Sequence, residues 1–295
     1  DVCRLNKRKI MIVYTAVSIA AGIALAVWRM ILIYRYYDPY NGEFSRDADS
    51  MLKALGYVTL GAALLMFTSY FFIRKESFER FSASSNQVSV FSSSLCGFVF
   101  VAVGILVVVY YAGSVFGHSG GGWFFKTAQI ISFFSLFGSA AYFIFSASTG
   151  YCESKIKKGL SFFPALWALS YLSCSYINAD YIYNDPNRIL CNVSLAALLL
   201  FFLFETRNTV SKPQNPMRFA FSLIAMVCVM TYMVPLLILT AFWEIPLTLE
   251  SLFEAVECGA VFYIFAVLYT MISVLKKKSS AEEAIPAQTP AESKE

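Results

Sequence analysis

The chain has 295 residues, 58% of them hydrophobic and 14% charged, with a formal net charge of +4 at pH 7. So little polar surface cannot solvate a globule of this length, which excludes an ordinary soluble domain and leaves a lipid-facing helical bundle. The positive residues sit at the ends of apolar stretches, where anionic headgroups meet them, so the partner they imply is the lipid bilayer and not nucleic acid.

Taken in chain order, the apolar stretches predict about eight transmembrane helices near 10–34, 51–74, 92–116, 124–150, 160–184, 188–207, 216–243 and 248–275. The first follows Lys7, Arg8 and Lys9 and contains Ala24-Leu25-Ala26, which imitates a signal peptide. Its apolar run continues to Tyr34, beyond the length of a signal h-region, so it is read as a retained span. The loop after it, Tyr37-Asp38-Pro39-Tyr40-Asn41-Gly42-Glu43-Phe44, reads as a turn, because its acids lack the ordered spacing of a calcium loop. His118, the single histidine, stands before Gly120-Gly121-Gly122 in the hairpin between spans 3 and 4. One histidine makes no metal site, and the glycine run lacks the Lys-Ser or Lys-Thr of a phosphate loop. After Lys278 the sequence offers almost nothing apolar to bury, so residues 1–278 read as one bundle and 279–295 as a disordered cytoplasmic tail.

Basic clusters mark every second gap: Arg4 to Lys9; Arg74, Lys75 and Arg80; Lys155, Lys157 and Lys158; Arg207, Lys212 and Arg218; and Lys276 to Lys278. Basic flanks stay on the cytoplasmic side, so this alternation predicts an even number of spans with both termini in the cytoplasm. The seven cysteines contain no CxxC pair and read as packing residues, with no metal and no cofactor implied. Small residues at helical spacing, Ser18-Gly22-Ala26, Ser93-Gly97, Ser135-Ser139 and Ala255-Gly259, mark places where helices approach closely.

Ionisable residues inside spans are the candidate chemistry. Glu250, Glu254 and Glu257 lie on one stripe of the last span, with Glu257 about 10 Å deeper than Glu250 at about 1.5 Å per residue. Arg29 sits before the outer end of span 1 at matching depth, either bridging these acids structurally or lining a site with them. Span 5 is polar in its outer half, where Tyr171, Ser175 and Asn178 share a face with Trp167 and should turn inward; Asp180 and Asp185 extend the acidic character beyond it. Interhelical hydrogen bonding without a ligand is the plainer reading of that face. In span 7, Pro235 removes a helix hydrogen bond and leaves the carbonyl of Thr231 without its usual donor, which predicts a kink and makes both residues weaker candidates. There is no HExxH, no GxSxG and no lysine within the last span before Lys276, so these enzyme signatures and a retinal-type Schiff base are excluded. The chain is therefore expected not to be an enzyme, with carboxylate-only membrane catalysis the remaining exception.

Tyr37-Asp38 with Gly42-x-Phe44, and Phe204-Glu205-x-Arg207 ahead of a span led by Arg218, resemble a family of uncharacterised multi-pass membrane proteins of Gram-positive anaerobic bacteria. The resemblance implies a bacterial cytoplasmic membrane and supplies no catalytic residues. In its pattern, Glu205 and Arg207 form an interfacial pair or a conformational latch. The expectation from the whole sequence is a carrier or permease binding an ion or small polar ligand in an outward-facing cavity, through Glu257, Glu254, Arg29, Asn178, Ser175 and Tyr171. The alternative is a non-catalytic sensor, accessory or partner-binding protein whose buried charges are structural.

Overall fold

The computed structural model describes residues 2–38, 43–73, 87–116, 122–149, 154–177, 186–211, 215–242 and 249–283. His118, Asn178, Asp180, Asp185 and most of the tail lie outside them, as do the side chains of Glu250 and of Lys276 to Lys278. Eight helical segments are long and apolar enough to cross a membrane, so the chain is a multi-pass membrane protein.

Span 1 is α1 (Val2–Tyr36), after which Tyr37–Asp38 (β1) and Glu43–Phe44 (β2) pair antiparallel around the expected turn. Span 2 is two helices, α2 (Asp49–Phe67) and α3 (Ser69–Ile73). The break falls at Thr68, whose hydroxyl donates back to the Leu65 carbonyl at 2.6 Å, a local bond that competes with the helix ladder. Spans 3 and 4 are α4 (Gln87–Phe116) and α5 (Trp123–Thr149). Span 5 begins earlier than its apolar run, with α6 (Lys155–Leu160) capped by Ser154, and continues after Ser161 as α7 (Phe162–Ile177). The backbone carbonyl released at Ser161 is taken by the Thr206 hydroxyl at 2.6 Å. Spans 6, 7 and 8 are α8 (Pro186–Val210), α9 (Asn215–Phe242) and α10 (Leu249–Glu283).

Consecutive packing partners α4, α5, α7, α8, α9 and α10 close into a ring, because α10 returns to pack on α4. Helices α1 and α2 cover the outer side of α9. As a result α9 is enclosed, and none of its described side chains from Asn215 to Ile238 is exposed. The other spans expose large apolar side chains, such as Phe98, Phe134 and Phe262, as lipid-facing surfaces must. The small residues sit where helices approach: the Ser18 hydroxyl donates to the Leu223 carbonyl, and a Cβ built at Gly97 would lie 2.7 Å from Ile144.

Cross-helix bonds show that odd and even spans run in opposite directions. Tyr14, near the start of α1, meets Thr68 near the end of span 2, and Ser89 at the start of α4 meets Thr270 late in α10. The start of α1 and the end of α10 therefore share one end of the bundle, called here the terminal end. Inside the ring, aromatic rings touch in series from Tyr263 through Phe143, Phe100 and Trp167 to Phe253, with centroid separations of 4.9, 5.4, 5.3 and 6.5 Å. This apolar column occupies the middle of the ring and divides the buried polar groups into two clusters.

Candidate functional site

The far-end cluster begins with a defect in α9. Pro235 has no backbone N–H, so the carbonyl of Thr231 loses its helical donor, and the ring crowds the carbonyls of the preceding turn. Arg29 supplies the missing donor from α1: its Nη1 donates to the Thr231 carbonyl at 3.4 Å and to the Tyr232 carbonyl. Its guanidinium carbon also stands 4.5 Å from the centre of the Tyr232 ring, within range of a cation–π interaction. Arg29 is thus buried with 0% exposure against the carbonyl that the proline frees and the one that follows it. Helix α9 continues through Pro235 to Phe242.

Helix α10 brings the acids. Glu254 and Glu257 are 5% and 0% exposed, and Arg29 is electrostatically coupled to both, more strongly to Glu254. Glu257 Oε2 accepts a 3.3 Å hydrogen bond from Ser194 of α8, whereas Oε1 is buried with no hydrogen-bond partner. One turn of helix before Ser194, Cys191 contacts the Ser175 hydroxyl at 3.8 Å and interacts with Tyr232. Two carboxylates thus face one guanidinium in a water-poor interior, and one carboxylate oxygen is unfilled. Such an arrangement can hold a small positive charge.

The polar face of span 5 turns inward as its sequence requires, since Trp167, Tyr171 and Cys174 are buried. It is occupied by neighbouring helices. Ser175 donates to Asn192 Oδ1 at 3.0 Å, and Arg188 at the start of α8 donates from Nε to the Ser175 carbonyl at 3.2 Å and from Nη2 to that of Tyr176. These bonds satisfy the last carbonyls of α7, where a cation also complements the helix dipole. Tyr171 stacks on Trp167 and lies 4.6 Å from Phe253, which directly precedes Glu254 and is one turn along α10 from Glu257. Tyr171 and Ser175 therefore border the carboxylate cluster from the α7 side.

The terminal-end cluster corrects the expected pairing of Glu205 with Arg207. Positions i and i+2 point to different faces of a helix, and Arg207 is exposed while Glu205 is buried. The partner is Arg218, whose Nε lies 2.5 Å from Glu205 Oε2 across the α8–α9 hairpin. Arg218 is thus no basic flank: it is 5% exposed. Glu205 Oε1 accepts from Tyr263 at 2.8 Å and from Tyr142 at 3.4 Å, so both carboxylate oxygens are filled. The sequence reading passed over Ser194, Tyr232, Tyr142 and Tyr263, and it took Arg218 for a basic flank. Only Arg218 carried a usable signal, an arginine preceding an apolar span opposite a glutamate ending one. Among the described residues no three His, Cys, Asp or Glu side chains are grouped to hold a metal ion. Protein-family models, curated proteins and solved structures were all compared with this chain, and none matches it.

Proposed function

We propose that this membrane protein is a carrier or permease that binds an ion or small polar ligand at the Arg29–Glu254–Glu257 cluster, which opens toward the side of the membrane away from the termini. The observation that carries this reading is the buried Glu257 carboxylate with an unfilled Oε1, near the buried Glu254 and Arg29. Intramembrane ionisable groups are costly, and those that persist mark substrate or ion pathways. Tyr171 and Ser175 border the site. Orientation follows the basic clusters, which put both termini in the cytoplasm and the site toward the outer leaflet; a cell membrane is the location they imply. A second reading, a sensor or accessory protein with structural charges, is favoured by the use of Arg29 to satisfy the Pro235 defect.

A thermal-shift screen of the purified chain against inorganic cations and small metabolites separates the two readings. Stabilisation by a ligand in the wild type, lost in a folded Glu257→Gln variant, is the expected result. No response to any ligand, together with a Glu257→Gln variant that fails to fold, would establish the structural reading instead.

A further inference from the structure

The proposed ligand site is closed in this structure: Arg29, Ser194 and Glu257 are each 0% exposed and Glu254 is 5% exposed. A ligand enters only if a surrounding helix moves, and the least costly motion is a bend where a backbone ladder already lacks a hydrogen bond. Four prolines fall in the described spans. Pro164, Pro186 and Pro216 stand in the first turns of α7, α8 and α9, where backbone N–H groups have no acceptor within the helix. Pro235 stands deep in α9 and does interrupt its ladder, at the level of the site.

The two sides of that defect are held differently. On the terminal side α9 is pinned: Arg218 by Glu205, the Leu223 carbonyl by the Ser18 hydroxyl, and Met230 by Gly22 of α1, where an added Cβ would lie 3.0 Å from the methionine sulfur. Side chains 225–229 and 231–233 are all buried there, whereas past Pro235 those of Leu236, Leu237 and Ile238 are only half-buried. The part of α9 before Thr231 is thus a fixed stem, and residues 236–242 form a short arm. Because α9 runs away from the terminal end, the arm lies between the level of the site and the far surface. Arg29 stands on the joint itself, since the Thr231 and Tyr232 carbonyls it holds belong to the turn that a bend at Pro235 would open. The same guanidinium is coupled to Glu254 and Glu257, so a ligand arriving at the acids competes for the group that holds the joint. We propose that α9 bends between Thr231 and Pro235, that residues 236–242 are the outer gate of the site, and that Arg29 is the latch that keeps the gate shut. This inference rests on the proposed ligand site and supplies its way in.

Cys191 supplies a native reporter, because it is 7% exposed, borders the site and interacts with Tyr232 at the joint. Cys96 of α4, 0% exposed and packed beside Gly259 of α10, is the reference. The full chain in detergent micelles is treated with N-ethylmaleimide, and modification of each cysteine is followed over time by peptide mass spectrometry. The expected result is that Cys191 reacts several-fold faster than Cys96. Pro235→Ala restores the backbone donor and stiffens the joint, so it should slow Cys191 several-fold and leave Cys96 unchanged. Arg29→Lys keeps the charge without the fork of donors and should speed Cys191. Should Arg29→Lys fail to fold, Pro235→Ala decides alone. Equal Cys191 rates in the wild type and Pro235→Ala overturn the inference, as does a change shared by Cys96, which reports global unfolding. The labelling needs no ligand and is therefore independent of the thermal-shift screen. If Cys191 responds to Pro235→Ala while no ligand stabilises the chain, the bend stands and the carrier reading falls; if a ligand acts through Glu257 while Cys191 does not respond, the site stands and the bend falls.

Discussion

The two buried clusters contain the same kinds of groups and solve the same problem differently. At the terminal end, Glu205 has one arginine and two tyrosine hydroxyls for its two oxygens, and its charge is matched by Arg218. At the far end, Arg29 divides its donors between proline-released carbonyls and the field of two carboxylates, and Glu257 keeps an empty oxygen. The clusters stand about 20 Å apart along α9, counting from Arg218 to Tyr232 at about 1.5 Å per residue. A filled pair fixes how helices α5, α8, α9 and α10 sit together. The other keeps one carboxylate oxygen without a hydrogen bond, the observation on which the proposed ligand site rests. The difference teaches that burial alone says little about an acid; whether its two oxygens are filled says more.

Breaking the filled cluster should be the most damaging change. Arg218→Ala leaves Glu205 buried without its cation, and the expected loss is about 3–5 kcal/mol of stability, read from the unfolding midpoint in mixed micelles. A double substitution, Glu205→Gln with Arg218→Met, should recover a large part of that loss, and a double variant as unstable as Arg218→Ala alone would refute the pairing. Next in size is Arg29→Met, expected to cost about 2–4 kcal/mol because it strands the Thr231 carbonyl that Pro235 frees as well as the acids. Adding Pro235→Ala restores the backbone donor, so the pair should be less unstable than the sum of the two single variants, and strict additivity would sever the link between arginine and proline.

Smaller effects sharpen the contrast. Glu257→Gln is expected to change stability by less than about 1 kcal/mol in the absence of ligand, since Glu257 Oε1 has no hydrogen-bond partner to lose and glutamine keeps the shape. The same substitution at Glu205 should cost about 2–3 kcal/mol, because there the charge is used. Equal losses at the two glutamates would erase the distinction between the clusters. Ser175→Ala should be mildest, about 1 kcal/mol for one neutral hydrogen bond to Asn192.

The spans were readable because each is a long apolar run, and the far-end acids because three glutamates at i, i+4 and i+7 in such a run are hard to overlook. Arg29 and the Thr231 carbonyl were readable separately; their meeting was not, since it depends on α1 and α9 being neighbours. Arg218 was misread for a reason of the same kind. On paper it belongs with Arg207 and Lys212 as a basic flank, and only the α8–α9 hairpin turns it onto Glu205. Ser194 and the interruptions at Thr68 and Ser161 left no trace in the sequence, because serine and threonine in an apolar helix look alike whether they back-bond, bridge or merely pack. The enclosure of α9 was equally hidden, as an apolar face against protein has the same composition as one against lipid.

The packing of α1 on α9 has a consequence for how the molecule is made. α1 packs more extensively against α9 than against α2, its neighbour in the chain. α1 must therefore wait in the membrane for α9, six spans later in the sequence, and during that wait Arg29 lacks the carbonyls that will hold it. A nascent chain that stops before α9 leaves Arg29 without its two α9 carbonyl acceptors. Surveillance of incomplete chains could recognise this species by that one residue, and the arrival of Pro235 is the event that hides it.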